Sequence, residues 1–216
     1  FTKLISLYFI FFLICFQGFI GWYMVSSGLI DRVDVSHFRL SIHLLIAFVI
    51  LSLIFWNYLK SQNYNQAEEG INSIIPFIFF VLILMQIVIG AFVSGMDAGK
   101  IYNSWPYMGH TYFPDDNNFL DLFKISAFND PSLVQFIHRN LAYLIGAYYL
   151  FMFYVIYKNK LYDLYRSINL LGFFIILQIV LGVFTIINGA QILIASMHQI
   201  SSIFLVSSCI YFLYLN

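Results

Sequence analysis

The sequence predicts an all-α integral membrane protein with six transmembrane helices. Hydrophobic residues make up 62% of the 216 residues and charged residues only 9%, whereas charged residues form about 25% of a typical soluble domain. The apolar residues are gathered into six long runs, each able to cross a hydrocarbon core about 30 Å thick. Because lipid cannot hydrogen-bond an exposed backbone, each run must be helical. The formal net charge is zero, and with no basic patch we expect no nucleic-acid partner.

The six runs define the predicted spans. They occupy residues 4–25, 38–59, 74–96, 134–157, 168–188 and 193–215. The last two spans are joined by Asn188-Gly189, a pair that forms tight turns because glycine tolerates positive φ. The connection 97–133 is the long one, and within it Phe119, Leu122 and Phe123 recur at helical spacing. This spacing predicts a short amphipathic helix that lies on the membrane surface.

Orientation follows from the enrichment of Lys and Arg on the cytoplasmic side of membrane proteins. With the first span starting inside, five basic residues fall on each side. Arg39 and Arg139, however, lie beside histidines at helix starts, where a binding site could require them. Without these two the count is five inside against three outside, so we expect both ends of the chain on the cytoplasmic side.

One polar pattern recurs in three predicted hairpins. The first helix of each carries Gln followed four residues later by Gly, and the second helix opens with His. The three copies are Gln17, Gly21 and His43; Gln86, Gly90 and His138; and Gln178, Gly182 and His198. All three histidines are therefore expected on the same side of the membrane, about one helical turn inside the outer face.

The separation of Gln and His distinguishes the three copies. It is 26 residues in the first hairpin, 52 in the second and 20 in the third, so the first and third have short loops. If long-looped and short-looped hairpins alternate, a further hairpin with a fourth histidine precedes the first residue. We therefore expect the chain to be the later part of a longer protein.

Histidines at these positions predict a metal-ligand site. An ionisable residue inside a span is energetically costly and is a functional candidate. A single one would more often be hydrogen-bonded to a neighbouring helix, but three matched copies favour a binding role. Neutral imidazole binds iron, zinc and copper. Zinc usually takes three or four protein ligands, and no Cys, Asp or Glu lies at this depth. Haem iron needs only two axial ligands, so the pattern favours haem.

Haem also needs an apolar slot and cations for its propionates. Arg139, next to His138, and Arg39, one turn before His43, are the candidates for propionate binding. Four glycines would let a flat macrocycle approach the backbone, although close helix packing would also explain them. They are Gly21, Gly90, Gly146 and Gly182.

Several stretches match a known signature. They are Gly95-Met96-Asp97-Ala98-Gly99 and Tyr102-Asn103-Ser104-Trp105-Pro106-Tyr107-Met108 in the long loop, and Arg39-Leu40-Ser41-Ile42-His43, Gln135-Phe136-Ile137-His138-Arg139 and His198-Gln199 at helix starts. In these stretches the chain resembles the haem A synthase family. The resemblance extends over the whole chain and is closest to the alphaproteobacterial and mitochondrial branch, which lacks paired cysteines in its outer loops.

The resemblance implies an architecture of eight helices in two pseudo-symmetric four-helix halves, of which this chain would form the last six. Residues 1–73 would then complete the N-terminal half, and residues 74–216 would form the C-terminal half. A protein of this family would be a multi-pass protein of the bacterial inner membrane or the mitochondrial inner membrane.

The resemblance also implies an activity, the oxidation of the C8 methyl group of haem O to a formyl group. Successive hydroxylations and loss of water would give haem A for terminal oxidases. His138 and His198 would be the axial iron ligands of a haem b cofactor, with Arg139 beside them. His43 would be one ligand of the substrate haem. Its partner histidine and a loop glutamate would lie outside this stretch, so we expect the stretch alone to be inactive.

The partners implied are the haem O substrate, haem O synthase, an electron acceptor, membrane lipid and a second copy of the chain. Two other functions remain open at this point. One is a bis-histidine electron-transfer subunit resembling cytochrome b, and the other is a transporter built from the repeats common to that class. Only the synthase explains the long-loop signature, and only the synthase would yield haem that carries a formyl group.

Overall fold

The computed structural model describes residues 2–28, 35–62 and 64–216. Its long helices are α1 (Thr2–Gly28), α2 (His37–Ser61), α3 (Ile74–Gly95), α4 (Pro131–Lys158), α5 (Tyr165–Ile187) and α6 (Ile192–Leu215). They confirm the six predicted spans, with ends that differ from the predicted ones by at most three residues. The described residues contain no β-strand, so the prediction of an all-α fold is confirmed.

All six helices are long and apolar enough to cross a membrane. Their outward surfaces carry large exposed hydrophobic side chains, such as Phe11, Phe12 and Trp22 on α1. A soluble protein rarely exposes contiguous apolar surface on this scale. The chain is therefore a multi-pass membrane protein, as its sequence predicts. The orientation with both ends inside stays a prediction.

The last four helices pack in a closed ring. α3 packs against α4 and α6, and α5 packs against α4 and α6, with the α5–α6 hairpin the most extensive pair. α4 and α6 are therefore diagonal neighbours across the ring. α2 packs on the outside of the ring against α3 and α6, and α1 packs against α2. The predicted division of the chain at residues 73 and 74 stays a prediction.

The tightly packed core lies at one end of the ring. Phe79 near the start of α3, Ile156 near the end of α4, Leu171 in α5 and Phe212 near the end of α6 are fully buried there. At the other end, α3 and α4 form a smaller buried cluster of Ile89, Phe92 and Val134, whereas no residue from 176 to 200, in α5 and α6, is buried. The histidines of α4 and α6 lie at this end.

Local sequence signals explain where two of the helices begin and end. α4 begins three residues before its predicted start because Asp130 caps it, accepting the N–H of Leu133 at 3.0 Å. Pro131 suits the first turn since its missing N–H would have had no partner there. α5 ends before Gly189, whose φ of +65° confirms the positive value predicted for that turn.

The long connection contains short 3-10 helices where a short amphipathic helix was predicted. They span Phe119–Phe123 and Ile125–Asn129. A 3-10 helix has about three residues per turn, so Leu120 and Phe123 share an exposed face while Leu122 is partly covered. The predicted apolar surface is present, but its residues are Phe119, Leu120, Phe123 and Ile125.

Candidate functional site

Each of the three histidine rings lies against the glycine of its own hairpin. A Cβ built on the glycine would lie 3.1 Å from Cε1 of His43, 3.1 Å from Cε1 of His138 and 3.2 Å from Cε1 of His198. Any larger residue would press on the ring, so the glycines provide space for imidazoles. The three glycines are Gly21, Gly90 and Gly182.

This contact changes the interpretation of the glycines. The space in front of Gly21, Gly90 and Gly182 is filled by imidazole, so these three do not offer their backbone directly to a macrocycle. Gly146 on α4 differs, since the nearest atom to its added Cβ is Cδ1 of Ile179 at 3.9 Å. Gly146 therefore remains the candidate for close approach of a flat ligand.

The glutamine of each hairpin donates a hydrogen bond to the backbone carbonyl of the histidine. The distance from Nε2 to the carbonyl oxygen is 2.9 Å for Gln17, 3.0 Å for Gln86 and 3.1 Å for Gln178. In two hairpins the same Nε2 also lies near the ring, 3.2 Å from Nε2 of His43 and 3.4 Å from Nε2 of His138. Each glutamine thus ties two helices together at the level of the histidine.

His138 and His198 lie at the same end of diagonal helices, close enough to interact electrostatically. Both are half-buried. Nδ1 of each ring is buried and has no hydrogen-bond partner in the described part of the chain. Nδ1 of His43 is likewise buried and has no partner there. His43 lies on α2, outside the ring. One ring nitrogen of each of the three imidazoles is therefore without a partner among the described residues.

No group of three or more His, Cys, Asp or Glu side chains in residues 2–28, 35–62 and 64–216 could hold a metal ion. The histidines instead offer at most two protein ligands at one place. A metal bound there would need its other ligands from a cofactor, which is the arrangement that a haem macrocycle provides.

A stripe of three side chains on α4 holds the long loop. Gln135, Arg139 and Tyr143 are spaced four residues apart, so they lie on one face of the helix. Nε2 of Gln135 donates to the carbonyl of Tyr102 at 3.1 Å, and the Tyr143 hydroxyl accepts from Nε1 of Trp105 at 2.9 Å. The spacing of four is visible in the sequence, but it does not by itself indicate that these side chains hold the loop.

Arg139 is the central residue of this stripe and is 6% exposed. Its Nη2 donates to the carbonyl of Tyr102 at 2.9 Å, and its Nη1 donates to the carbonyls of Ser104 at 2.9 Å and Tyr107 at 3.3 Å. Nε has no partner in the described part of the chain. The loop engages three of the five N–H donors of Arg139, so Nε and the second N–H of Nη2 are left for a propionate. The role of Arg139 in propionate binding stays a prediction.

A carboxylate connects the loop to the first turn of α4. Asp116 accepts the hydroxyl of Tyr102 at 2.9 Å and that of Ser132 at 2.6 Å. Burial raises the pKa of Asp116, but hydrogen bonds from Ser132, Tyr102 and Asn117 outweigh it, and the pKa lies below its ordinary value. Burial, followed by the bond to Asp116, raises the pKa of Tyr102. At neutral pH the network therefore joins an ionised Asp116 to a neutral phenol.

Other residues of the predicted site have local partners. Asn103 donates to the carbonyls of Gly99 and Ile186, each at 3.1 Å, which joins the loop to the end of α5. The exposed Asp97 pairs with Lys100 at 2.8 Å. The Arg39 guanidinium lies over the Tyr23 ring, 4.8 Å from its centre.

Residues 3–210 match the protein family COX15-CtaA, described as cytochrome oxidase assembly protein. A heme A synthase of Pelagibacter ubique is 48% identical over 209 residues, covering 97% of this chain and 62% of that protein. Heme A synthases of Flavobacterium johnsoniae and Rickettsia felis are 40% and 37% identical, each covering 92% of this chain and 60% of the relative. No solved structure matches the chain.

The chain thus spans about 60% of the length of the curated relatives that it matches. The match does not favour the alternative of a subunit resembling cytochrome b. With six helices that can cross a membrane and bacterial relatives, the chain is an inner-membrane protein. The family match covers nearly all of the chain, so this inner-membrane protein belongs to the COX15-CtaA family of cytochrome oxidase assembly proteins.

Proposed function

We propose that the chain forms part of a haem A synthase, an oxidoreductase that converts the C8 methyl group of haem O to the formyl group of haem A. The relatives described above carry the name heme A synthase. One structural observation carries the proposal: His138 and His198 lie at the same end of diagonal helices, within electrostatic range of each other, and each has a buried ring nitrogen with no partner among the described residues.

The residues around this pair fit a haem. Buried polar groups in proteins nearly always have a hydrogen-bond partner, but Nδ1 of His138 and Nδ1 of His198 have none among the described residues. No described protein group therefore holds either ring through Nδ1, which leaves both imidazoles open to a role in ligand binding. Two neutral imidazoles from opposite helices are a donor set that haem iron takes. On the α5 and α6 side of the end of the ring where this pair lies, no residue from 176 to 200 is buried, and Gly146 leaves the backbone of α4 approachable.

Bound haem b would supply a one-electron redox centre. In this proposal His138 and His198 would hold its iron. Gln86 and Gln178 hold the histidine-bearing helices at the level of these ligands. Arg139 keeps the loop over the start of α4 and offers Nε to a propionate.

His43 is proposed to bind the substrate haem. Its surroundings repeat those of His138, with a glycine against Cε1 and a glutamine bonded to the backbone carbonyl. It lies on α2, outside the ring that holds the other two histidines. His43 has the same surroundings as His138 but lies apart from the His138 and His198 pair. We therefore assign it to a second haem, the haem O that is oxidised.

The reaction implies the remaining partners. Converting a methyl group and water to a formyl group releases electrons and protons, so an electron acceptor is required. Haem O must be supplied by an enzyme that makes it, a haem O synthase. Assembly of two or more copies of the chain is also part of the proposal.

The test is to join the chain to the part of the Pelagibacter relative that it does not cover. The joined protein would be expressed in bacterial membranes that contain haem O and no haem A. Extracted haem would be examined by mass spectrometry and by its formyl-dependent absorbance. We expect haem A from the joined protein, none from its His43→Ala variant, and none from the present chain alone.

Bound haem without any formyl product in the joined protein would contradict the synthase and favour an electron-transfer subunit. Haem that crosses the membrane unchanged would favour a transporter.

A further inference from the structure

We infer that Gln86 and Gln17 are positioning residues that select one tautomer of the imidazoles of His138 and His43. The inference rests on the proposed function only in taking these imidazoles to be ligands of haem iron. It begins from the amide nitrogen, which contacts both the backbone carbonyl and the ring of the same histidine in each hairpin.

The backbone carbonyl fixes which way the glutamine amide points. A carbonyl oxygen can only accept a hydrogen bond, so the group that faces it at 2.9 Å in Gln17 and 3.0 Å in Gln86 must be the NH2 group. Turning the amide over would place Oε1 against another oxygen. The assignment of nitrogen and oxygen, often ambiguous for Gln, is therefore settled by its partner.

The second hydrogen of the same NH2 group is available to the ring. Nε2 of His138 lies 3.4 Å from Nε2 of Gln86, and Nε2 of His43 lies 3.2 Å from Nε2 of Gln17. An amide nitrogen donates and does not accept. The ring nitrogen that faces it must accept, so Nε2 carries the lone pair and Nδ1 carries the proton.

The other ring nitrogen does not oppose this choice. Nδ1 of His43 and of His138 has no partner among the described residues, so either tautomer leaves it without a hydrogen bond. The glutamine contact therefore decides between them. The glycine supports the arrangement, since Gly90 and Gly21 each approach Cε1 closely and limit how far the ring can turn.

The selected tautomer is the one suited to ligation through Nε2. A histidine must present an unprotonated nitrogen to a metal. In ligating histidines the tautomer is usually set by a hydrogen bond at the other ring nitrogen, but Nδ1 has no partner here among the described residues, so the glutamine on Nε2 makes the selection before iron binds. The glutamine keeps the Nε2 lone pair available in the haem-free protein and would be displaced from it by iron. Gln178 bonds the carbonyl of His198 only, so it ties helices without selecting a tautomer.

The experiment uses the full chain, free of haem, in lipid bilayers with 15N-labelled histidine. Solid-state NMR distinguishes protonated from unprotonated ring nitrogens, and His138→Asn identifies the His138 signals. We expect a single tautomer of His138 with Nε2 unprotonated, and in Gln86→Leu a mixture of both tautomers. Gln17→Leu should do the same at His43, which keeps the test available if Gln86→Leu does not fold.

Two matched variants serve as controls. Gln178→Leu removes a helix tie of the same kind, and Gln199→Leu removes an exposed glutamine next to His198. Neither should change the tautomer of His138. A protonated Nε2 in the wild type, or one unchanged tautomer in Gln86→Leu and Gln17→Leu, would overturn the inference.

The readout requires no haem, so it is independent of the proposed function. Loss of haem on His138→Ala together with an unchanged tautomer in Gln86→Leu would overturn only the inference. The predicted tautomers in a chain that binds no haem would contradict only the proposed function.

Discussion

Arg139 donates from Nη2 to the backbone carbonyl of Tyr102 at 2.9 Å, and this bond fastens the long loop to α4 one residue beyond His138. Successive residues of an α-helix are rotated by about 100° because the helix has about 3.6 residues per turn. Arg139 therefore faces the loop although it is adjacent to a candidate ligand in sequence. One cation can thus influence both the loop and the bound group.

Arg139→Ala should release the loop and weaken haem retention. Hydrogen bonds to charged groups contribute about 1.5–3 kcal/mol, which corresponds to a roughly ten- to hundredfold faster haem dissociation, since about 1.4 kcal/mol is tenfold. Arg139→Lys keeps the charge but loses the planar fork and should fall between. Haem dissociation and hydrogen exchange of the amides of residues 102–107 would be measured together.

The matched control is Arg166→Ala, which removes an exposed arginine near the start of α5, far from the loop in sequence. It should change neither quantity. If wild type, Arg139→Lys and Arg139→Ala have equal haem dissociation rates and equal amide hydrogen exchange, then Arg139 neither holds the loop nor contributes to haem binding.

The Asp116 network should make the loop sensitive to acid. The pKa of Asp116 is lowered in the folded protein, so its ionised form stabilises the loop above the ordinary aspartate pKa of about 3.9. That stability is lost as the pH falls through the lower, folded-state pKa. Limited proteolysis of the loop between pH 7 and pH 3 would measure the loss.

Asp116→Asn should reduce this pH dependence and leave the loop more susceptible to cleavage at neutral pH. The response that remains would come from Asp115 and Asp121, whose hydrogen bonds also lower their pKa values. Asp163→Asn, a change of the same kind in a residue that is exposed between α4 and α5, should behave as wild type. An identical acid response in Asp116→Asn and wild type would mean that another group controls the loop.

The apolar surface of the long loop should be inserted into the membrane interface. Leu120, Phe123 and Ile125 are 73%, 77% and 89% exposed. The next 3-10 helix lies level with the last turn of α3, because the ring centres of Phe128 and Phe92 are 6.1 Å apart. At that level exposed aromatic and aliphatic side chains meet the boundary between headgroups and hydrocarbon.

A nitroxide label at Ile125→Cys would test this placement in bilayers, with Cys15 and Cys209 replaced by serine. The label should be relaxed more strongly by oxygen, which concentrates in lipid, than by a water-soluble nickel complex. A label at His110→Cys, on an exposed residue of the same loop, should show the reverse. Strong relaxation of the Ile125 label by nickel would place this surface in water.

The hydrophobic runs were sufficient to predict the six helices, because a span must be long, apolar and helical. The repeated Gln, Gly and His were also sufficient to predict three similar hairpins. Two contacts could not be predicted from spacing along the chain. Gly90 faces the imidazole of His138, and Gln86 bonds its backbone carbonyl. Both depend on how neighbouring helices are rotated about their own axes, which residue spacing within one helix leaves open.

The loop was predicted less completely for a similar reason. Its signature residues Tyr102, Asn103 and Trp105 were noticed in the sequence, but their partners lie on α4 and α5. Such long-range contacts between side chains and backbone carbonyls have no local sequence pattern. The predicted amphipathic segment forms 3-10 helices instead of an α-helix. The number of residues per turn therefore differs, and the exposed residues are not the ones expected for an α-helix.

The central claim is that His138 and His198 together ligate one haem, and the absorbance spectrum of the purified chain tests it most directly. We expect a low-spin spectrum typical of bis-histidine haem b in the wild type. His138→Ala and His198→Ala should each remove that spectrum, because either change leaves the iron with one protein ligand. His110→Ala, a histidine in the exposed loop, should leave it intact. An unchanged low-spin spectrum in both His138→Ala and His198→Ala would contradict the claim.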